Sequence, residues 1–385
     1  MRVLQVHNAY QHRGGEDVVV DIEYELLSSR GVIVEQLLFT NDQINPRELI
    51  YNSDAAAVLK EKITSFQPDV IHAHNLFYKA SPSILYEARR HGVPVVMTLH
   101  NFRLICPNAM FLRDNAVCTK CLKRKFAAPA ITHKCFKDSR IKSGALATSL
   151  FVHNTQGTWR KQVDRFTVLT PFIRDLILSS SLRLSEEKVE VKPNSTEDLG
   201  PVNSADNRIG DYLYIGRLSA EKGLDTLVKA FNLLPELRLS ILGEGPLMEE
   251  LRAKAGPNIE FAGTKDRTFV QAALKDSKAL LFTSVIFEGL PNTIIEAFSA
   301  GTPVIASDVD NINQIVTDGN NGRLFEASNP ERLAQVIRDF DEERPAALYQ
   351  GARQTYERKY THGHNFEALM QVYRSVINSD EEEDS

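Results

Sequence analysis

Two acids stand eight positions apart in "FEGLPNTIIEAFSAGTPVIASD", residues 287–308. Glu288 sits in the corner Gly289-Leu290-Pro291, and Glu296 lies inside the apolar stretch that follows. The preceding "KALLFTS" reads as a strand, and "NTIIEAFSAG" as a helix closed by Gly301. On a straight helix, positions eight apart lie about 80° out of register. Glu288 precedes the helix, so the turn can swing it toward the same ligand as Glu296. The N–H groups from Leu290 to Asn292 would face that spot and suit a phosphate. A carboxylate beside such a helix start is a natural receptor for a ribose diol. The plain alternative makes both acids surface groups. Glu296 argues against it, because Ile294, Ile295, Ala297 and Phe298 surround it in sequence.

Cations at a second loop complete this chemistry. In "GRLSAEKG", Gly216 frees the backbone after the strand "YLYI", and Arg217 and Lys222 are five apart ahead of a helix. A guanidinium fork and an ammonium beside a helix N-terminus fit a diphosphate. Two surface cations are the alternative. Near the N-terminus, "QHRGGED" offers Gly14 and Gly15 for close backbone approach, with Glu16 and Asp17 in a first helical turn; a plain tight turn is the alternative there. The chain has no G-x-G-x-x-G and no G-x-x-x-x-G-K-[ST], which disfavours a dinucleotide oxidoreductase and a P-loop enzyme.

The elements that must position these residues alternate between short apolar strands and amphipathic helices. "RVLQV", "VIVEQLL", "DVIHAH", "VPVVMTLH" and "RFTVLT" form one series, with a helix over 18–27 presenting Val18, Val19, Ile22 and Leu26 and another running to about Lys161. "DYLYIG", "LRLSILG", "NIEFAG", "KALLFT" and "TPVIAS" form a second. The expected architecture is α/β: two doubly wound, parallel-sheet Rossmann-like domains facing a central cleft, with ligands at the carboxyl ends of strands. "KPNSTEDLGPVNSADNRIG" reads as the linker. The boundaries are 1–192, with a basic, cysteine-bearing insertion at 101–143, then 193–361, a last helix at 362–377 and an acidic tail at 378–385. The last helix carries Phe366, Leu369, Val372, Tyr373 and Val376 on one face and can pack on either domain.

The whole-chain balance narrows the class. With 385 residues, 43% hydrophobic and net charge -5, the protein is an ordinary globular one and no bulk-charge nucleic-acid binder. No apolar run approaches the roughly 20 residues of a membrane span. "MRVLQVHNAY" enters a strand without a signal-like segment, so a cytoplasmic location is expected.

Taken in order, "GRLSAEKG", "LGEGPL" and "FEGLPNTIIEAFSAGTPVIASD" resemble the second domain of glycosyltransferase family 4 (group 1). "QHRGGED", "PDVIHAHNLF", "TLHNFRLICPN" and "VKPN" resemble its first domain and linker. The resemblance covers nearly the whole chain. It implies the GT-B fold and sugar transfer with retained anomeric configuration, from a nucleotide-sugar donor such as a UDP- or GDP-sugar to a sugar or lipid-linked acceptor. It implies that Arg217 and Lys222 meet the diphosphate, Glu296 the ribose, Glu288 the sugar hydroxyls near the reacting carbon, and His100 the sugar. Gly15 would approach the phosphates, Gly245 to Leu247 would lie near the base, and Gly289, Leu290, Pro291 and Asn292 would form the amide corner. No catalytic cofactor is expected, and "DVD" at 308–310 reads as a loop rather than a metal site. A nucleotide-sugar 2-epimerase and a non-catalytic nucleotide-sugar-binding protein are the alternatives.

All four cysteines, Cys106, Cys118, Cys121 and Cys135, fall in thirty residues, spaced C-x11-C-x2-C-x13-C. In a reducing compartment structural zinc is the favoured account, with His133 as a substitute ligand; buried free thiols and a redox pair are the alternatives. From Lys120 to Lys142 there are eight Lys/Arg and one acid, with Leu122, Phe126, Ile131 and Phe136 interleaved. That pattern suits the inner face of an anionic membrane or a lipid-diphosphate acceptor, or is a solvated basic face. His7, His72 and His74 end strands, each more simply a structural histidine than a ligand.

Overall fold

The computed structural model describes residues 1–10, 14–41, 45–200, 208 and 210–378. Part of "QHRGGED", much of the linker and the acidic tail beyond Asn378 lie outside the described residues.

The chain divides into two compact units. The first holds Met1–Phe111, Cys118–Asn194 and the chain from Asn365 on; the second holds Ser195–His364 and Leu112–Val117. The strands, in chain order, are β1 (Arg2–Asn8), β2 (Ile33–Phe39), β3 (Val70–Ala73), β4 (Val95–Leu99), the two-residue strands β5 (Leu112–Arg113) and β6 (Ala116–Val117), β7 (Arg165–Val168), β8 (Val189–Val191), β9 (Tyr212–Ile215), β10 (Leu239–Leu242), β11 (Ile259–Gly263), β12 (Leu280–Phe282), β13 (Val304–Ser307) and β14 (Gly322–Phe325).

The first sheet runs β2-β1-β3-β4-β7-β8 and the second β11-β10-β9-β12-β13-β14, with every neighbouring pair parallel. Central strands such as Val70–Ala73 and Val304–Ser307 are buried along their whole length, as a sheet covered on both faces demands. Winding reverses between β1 and β3 in the first unit and between β9 and β12 in the second. A crevice opens at the carboxyl ends of strands at such a reversal.

Four elements differ from the sequence expectation. The edge strands β8 and β14 offer no continuous apolar run, because Glu190 and Arg323 interrupt them. The helix expected to reach Lys161 is two, Arg140–Gln156 and Thr158–Gln162, because Gly157 turns the chain with φ +72. In the helix Gly15–Ser29 the buried face is Asp17, Val19, Val20, Glu23, Leu26 and Leu27, not the purely apolar set expected.

The last helix, His362–Ile377, packs in the first unit. Its Leu369, Met370, Val372, Tyr373 and Val376 join Val3, Leu27, Val32, Val70 and Val96 in one core. Burying side chains of this size contributes about 1.5–3 kcal/mol each.

Candidate functional site

Three loops of the second unit converge at the carboxyl ends of β9, β10 and β12. The Leu218 N–H donates to the Glu244 carbonyl at 2.9 Å, and the Leu247 N–H to the Leu218 carbonyl at 3.1 Å. The Val285 N–H reaches the Glu221 carbonyl at 3.0 Å, and Thr283 Oγ1 donates to the Lys222 carbonyl at 2.7 Å. Two glycines allow this closeness. A Cβ on Gly245 would lie 2.3 Å from the Leu218 oxygen. One on Gly223, whose φ is +67, would lie 2.0 Å from the Thr283 oxygen.

At the junction Lys222 Nζ donates to Glu288 Oε1 at 2.6 Å, and Ser284 Oγ donates to the same oxygen at 2.7 Å. Asn311 Nδ2 holds the Glu288 carbonyl. Burial pulls the Lys222 pKa down, but the adjoining Glu288 charge and hydrogen bond carry it above the usual lysine value. Arg217 is exposed, and among the described residues its guanidinium makes no hydrogen bond or ion pair. The helix Asn292–Ser299 starts without a side-chain cap, after Leu290 and Pro291.

Glu296 is not hydrogen-bonded to this group. It lines a separate small cavity with Thr196, Arg267, Gln271 and Leu274. Among the described residues its carboxyl has no hydrogen-bond partner. Burial pushes its pKa up to about 7, with Arg267 pulling weakly the other way. Glu296 is half-buried, so its carboxyl is partly desolvated with water or a ligand left as its donor.

The other sequence-selected residues lie in the first unit. Gly15 opens the helix Gly15–Ser29 after Gly14, whose N–H donates to Asp17 Oδ2 at 2.7 Å. Asp17 also meets His7 Nε2 at 2.8 Å, giving that histidine a structural partner. His100 follows β4 and is half-buried. Burial, with Lys192 and His7 acting the same way and Glu23 opposing, pushes its pKa down to about 3. That shift favours the neutral imidazole.

Several polar residues here escaped the sequence. Ser284 and Asn311 hold Glu288. Glu23 and Lys192 form an ion pair, each side chain 1% exposed. Glu23 had a legible signal, since it is four positions from both Val19 and Leu27 on the buried face. Lys192 had none. Glu16, read from the sequence only as a first-turn acid, has its pKa raised by burial to about 7 and accepts from Tyr10 Oη at 2.9 Å and Asn101 Nδ2 at 3.3 Å.

The four cysteines lie in irregular backbone of the 101–143 segment, Cys118 and Cys121 only three residues apart. Cys106 and Cys121 are buried, and Cys118 and Cys135 half-buried. Burial, then Cys106, Cys135 and Cys118 in turn, pushes the Cys121 thiol up to about 11. The N–H groups of Phe111 and Asn108 donate toward Cys106 sulfur. No three of the sulfurs lie mutually within 4.8 Å; among the described residues, the group of metal-capable atoms that does is Glu23, His72 and His74.

Residues 28–195 match the family model described as "Glycosyl transferase 4-like domain", and residues 210–341 the one described as "Glycosyl transferases group 1". Over 314 residues the chain is 24% identical to a sulfoquinovosyl transferase of Arabidopsis thaliana, a match covering 77% of this chain and 55% of that protein. Over 180 residues it is 29% identical to a phosphatidyl-myo-inositol mannosyltransferase of Mycobacterium leprae, covering 43% and 47% of the two chains. The chain thus spans about half the length of the curated relatives it matches. The crystal structure of Anabaena HepE in complex with UDP superposes with a TM-score of 0.68 at 18% identity, over 97% of this chain and 99% of that one, a likeness of fold.

Proposed function

The chain belongs to the group 1 glycosyltransferases, and on that premise we propose that it moves a sugar from a nucleotide-sugar donor to an acceptor hydroxyl with retained anomeric configuration. The observation that carries the reading is the convergence of loops 216–223, 243–247 and 283–291 on the Lys222–Glu288 pair, beside the uncommitted Arg217.

In transfer, the bond from the anomeric carbon to the donor phosphate breaks as the bond to the acceptor oxygen forms. The acceptor's proton passes to the departing phosphate, so attack on the face it leaves needs no side-chain base. Arg217, Lys222 and the start of the helix Asn292–Ser299 stabilise the charge growing on the diphosphate. Glu288 keeps one oxygen on Lys222 and turns the other to sugar hydroxyls. Glu296 accepts from the ribose diol, and Gly245–Leu247 flank the base. Within the first unit, His100 is the candidate for a sugar hydroxyl and Gly15 for a phosphate oxygen. No metal ion is needed at any of these steps.

UDP-sugars head the test because the Anabaena neighbour was solved with UDP. A thermal-shift screen of UDP-, GDP-, ADP- and dTDP-sugars should find one nucleotide that stabilises the protein. Indifference to all four defeats the reading, and NMR showing an inverted product anomer defeats retention.

Two further assignments complete the reading. Four thiols are a soft donor set suited to structural zinc, which would draw the sulfurs together. Exposed Ile141 and Phe126, among the basic residues of 120–142, support contact with an anionic membrane at a cytoplasmic face; failure to float with anionic liposomes excludes it. Among the described residues no helix is long and apolar enough to cross a membrane.

A further inference from the structure

The donor reading leaves unused a set of buried ionisable groups in the first unit. Lys192 Nζ donates to Glu23 Oε1. The other oxygen, Oε2, has no hydrogen bond and lies 3.7 Å from His74 Nε2, which has none either. His72 is also near, at 3.8 Å from Oε2, but both its nitrogens are engaged. Its Nδ1 meets Tyr373 Oη at 2.8 Å and its Nε2 meets Thr98 Oγ1 at 2.7 Å. His74 Nδ1 meets His100 Nε2 at 3.0 Å, with the rings stacked 18° apart in plane. His100 lines a small cavity with Asn75, Phe77, Asn101 and Arg103. Among the described residues its Nδ1 makes no hydrogen bond.

A metal ion at Glu23, His72 and His74 is disfavoured. The Lys192 ammonium already holds Glu23, and a second cation beside a buried ammonium is repelled.

The remaining question is where the protons lie. A carboxylate paired with an ammonium stays charged and can only accept, so the hydrogen facing it is on His74 Nε2. A neutral imidazole carries one N–H, which leaves His74 Nδ1 bare. Nδ1 then accepts, so His100 Nε2 is the donor and His100 Nδ1 is the bare nitrogen. Burial holds the pKa of His74 well below the usual histidine range and that of His100 near 3, which keeps both rings neutral.

We propose that Glu23 is a positioning residue: anchored by Lys192, it fixes the tautomers of His74 and His100 so that His100 presents an unprotonated Nδ1 to accept a hydrogen bond from a ligand hydroxyl. Resting on the transfer reading, that hydroxyl belongs to a sugar.

Glu23→Gln tests the relay sharply. Lys192 still requires an acceptor, so the amide oxygen faces it and the amide NH2 faces His74. Both histidines must then invert, and His100 becomes an Nδ1–H donor. Long-range proton–nitrogen NMR on the full chain with 15N-labelled histidine distinguishes the two forms, with His100 assigned from the signal lost in His100→Ala. The expected result is His100 as Nε2–H in the native protein and Nδ1–H in Glu23→Gln, with about a tenfold loss in kcat/KM for transfer. A native His100 found as Nδ1–H overturns the proposal even if the variant fails to fold, as does an unchanged tautomer in a folded variant. Since the NMR result needs no turnover, absence of transfer with every donor would sink the functional reading and leave the relay decided separately.

Discussion

Arg217 and Lys222 come from one loop but differ in commitment. Lys222 is tied to Glu288 at 2.6 Å, whereas Arg217 is exposed and, among the described residues, its guanidinium makes no hydrogen bond or ion pair. Arg217→Ala should therefore leave the fold intact and lower kcat by about 10- to 150-fold, the range of one charge-assisted bond, with little change in acceptor KM. Equal losses in both constants, measured by steady-state kinetics, would contradict a role in the transition state. Glu296 yields a pH prediction. Its folded pKa, about 7, is above the usual glutamate value, so the folded protein holds this proton more tightly than the unfolded chain. Stability from this group is present below the unfolded value near 4.5 and is lost as pH rises toward 7. Glu296→Gln should thus raise the melting temperature relative to the native protein more at pH 8 than at pH 5. The same variant should bind more weakly whichever nucleotide stabilises the protein, and flatten the rise in that affinity expected between pH 6 and 8. A variant that loses stability at pH 8 would show that a protein group, not a ligand, satisfies the carboxyl.

At the scale of elements, the 101–143 segment is the place where regular structure is thinnest. It offers two two-residue strands, the short helix Ala128–Thr132 and, beside the buried Phe102, Leu104, Ile105 and Phe111, a small cluster of Cys121, Ala127 and Ala130 with Ala147 of the following helix. That small cluster stabilises little by itself, and a metal crosslink joining Cys118, Cys121 and Cys135 to Cys106 would add a constraint. Purified protein should carry about one zinc per chain by elemental analysis, and Cys121→Ser should lose it together with hydrogen-exchange protection in this segment. Zinc-free protein with native-like protection there would leave the four thiols as packing groups.

At the scale of the whole molecule, the chain's last helix belongs to the same unit as its first strand. Leu369 is 0% exposed in a core shared with Val3, Val70 and Val96. Leu369→Ala should cost about 2–5 kcal/mol in the first unit. Hydrogen exchange should rise in β1, β3 and β4 while β9, β10 and β12 keep their protection. Uniform loss across both sheets would mean that the two units unfold as one.

Much of this was legible in residues 1–385. Apolar runs of four to seven residues separated by amphipathic helices dictate covered parallel sheets, because such runs have no polar face to offer water. Arg217, Lys222, Glu288 and Glu296 could be selected because each lies in a contiguous motif, and of these the structure pairs Lys222 with Glu288 and sets Glu296 in a separate cavity. What sequence could not supply were the partners that come from distant segments. Lys192 is 169 positions from Glu23, and Tyr373 is 301 from His72. Whether a buried acid is paired, and so whether it holds a charge or a proton, depends on the few ångströms around it. Local pattern set the sheets and the loops at their carboxyl ends; only folding decided that Glu23 faces an ammonium and Glu296 faces none.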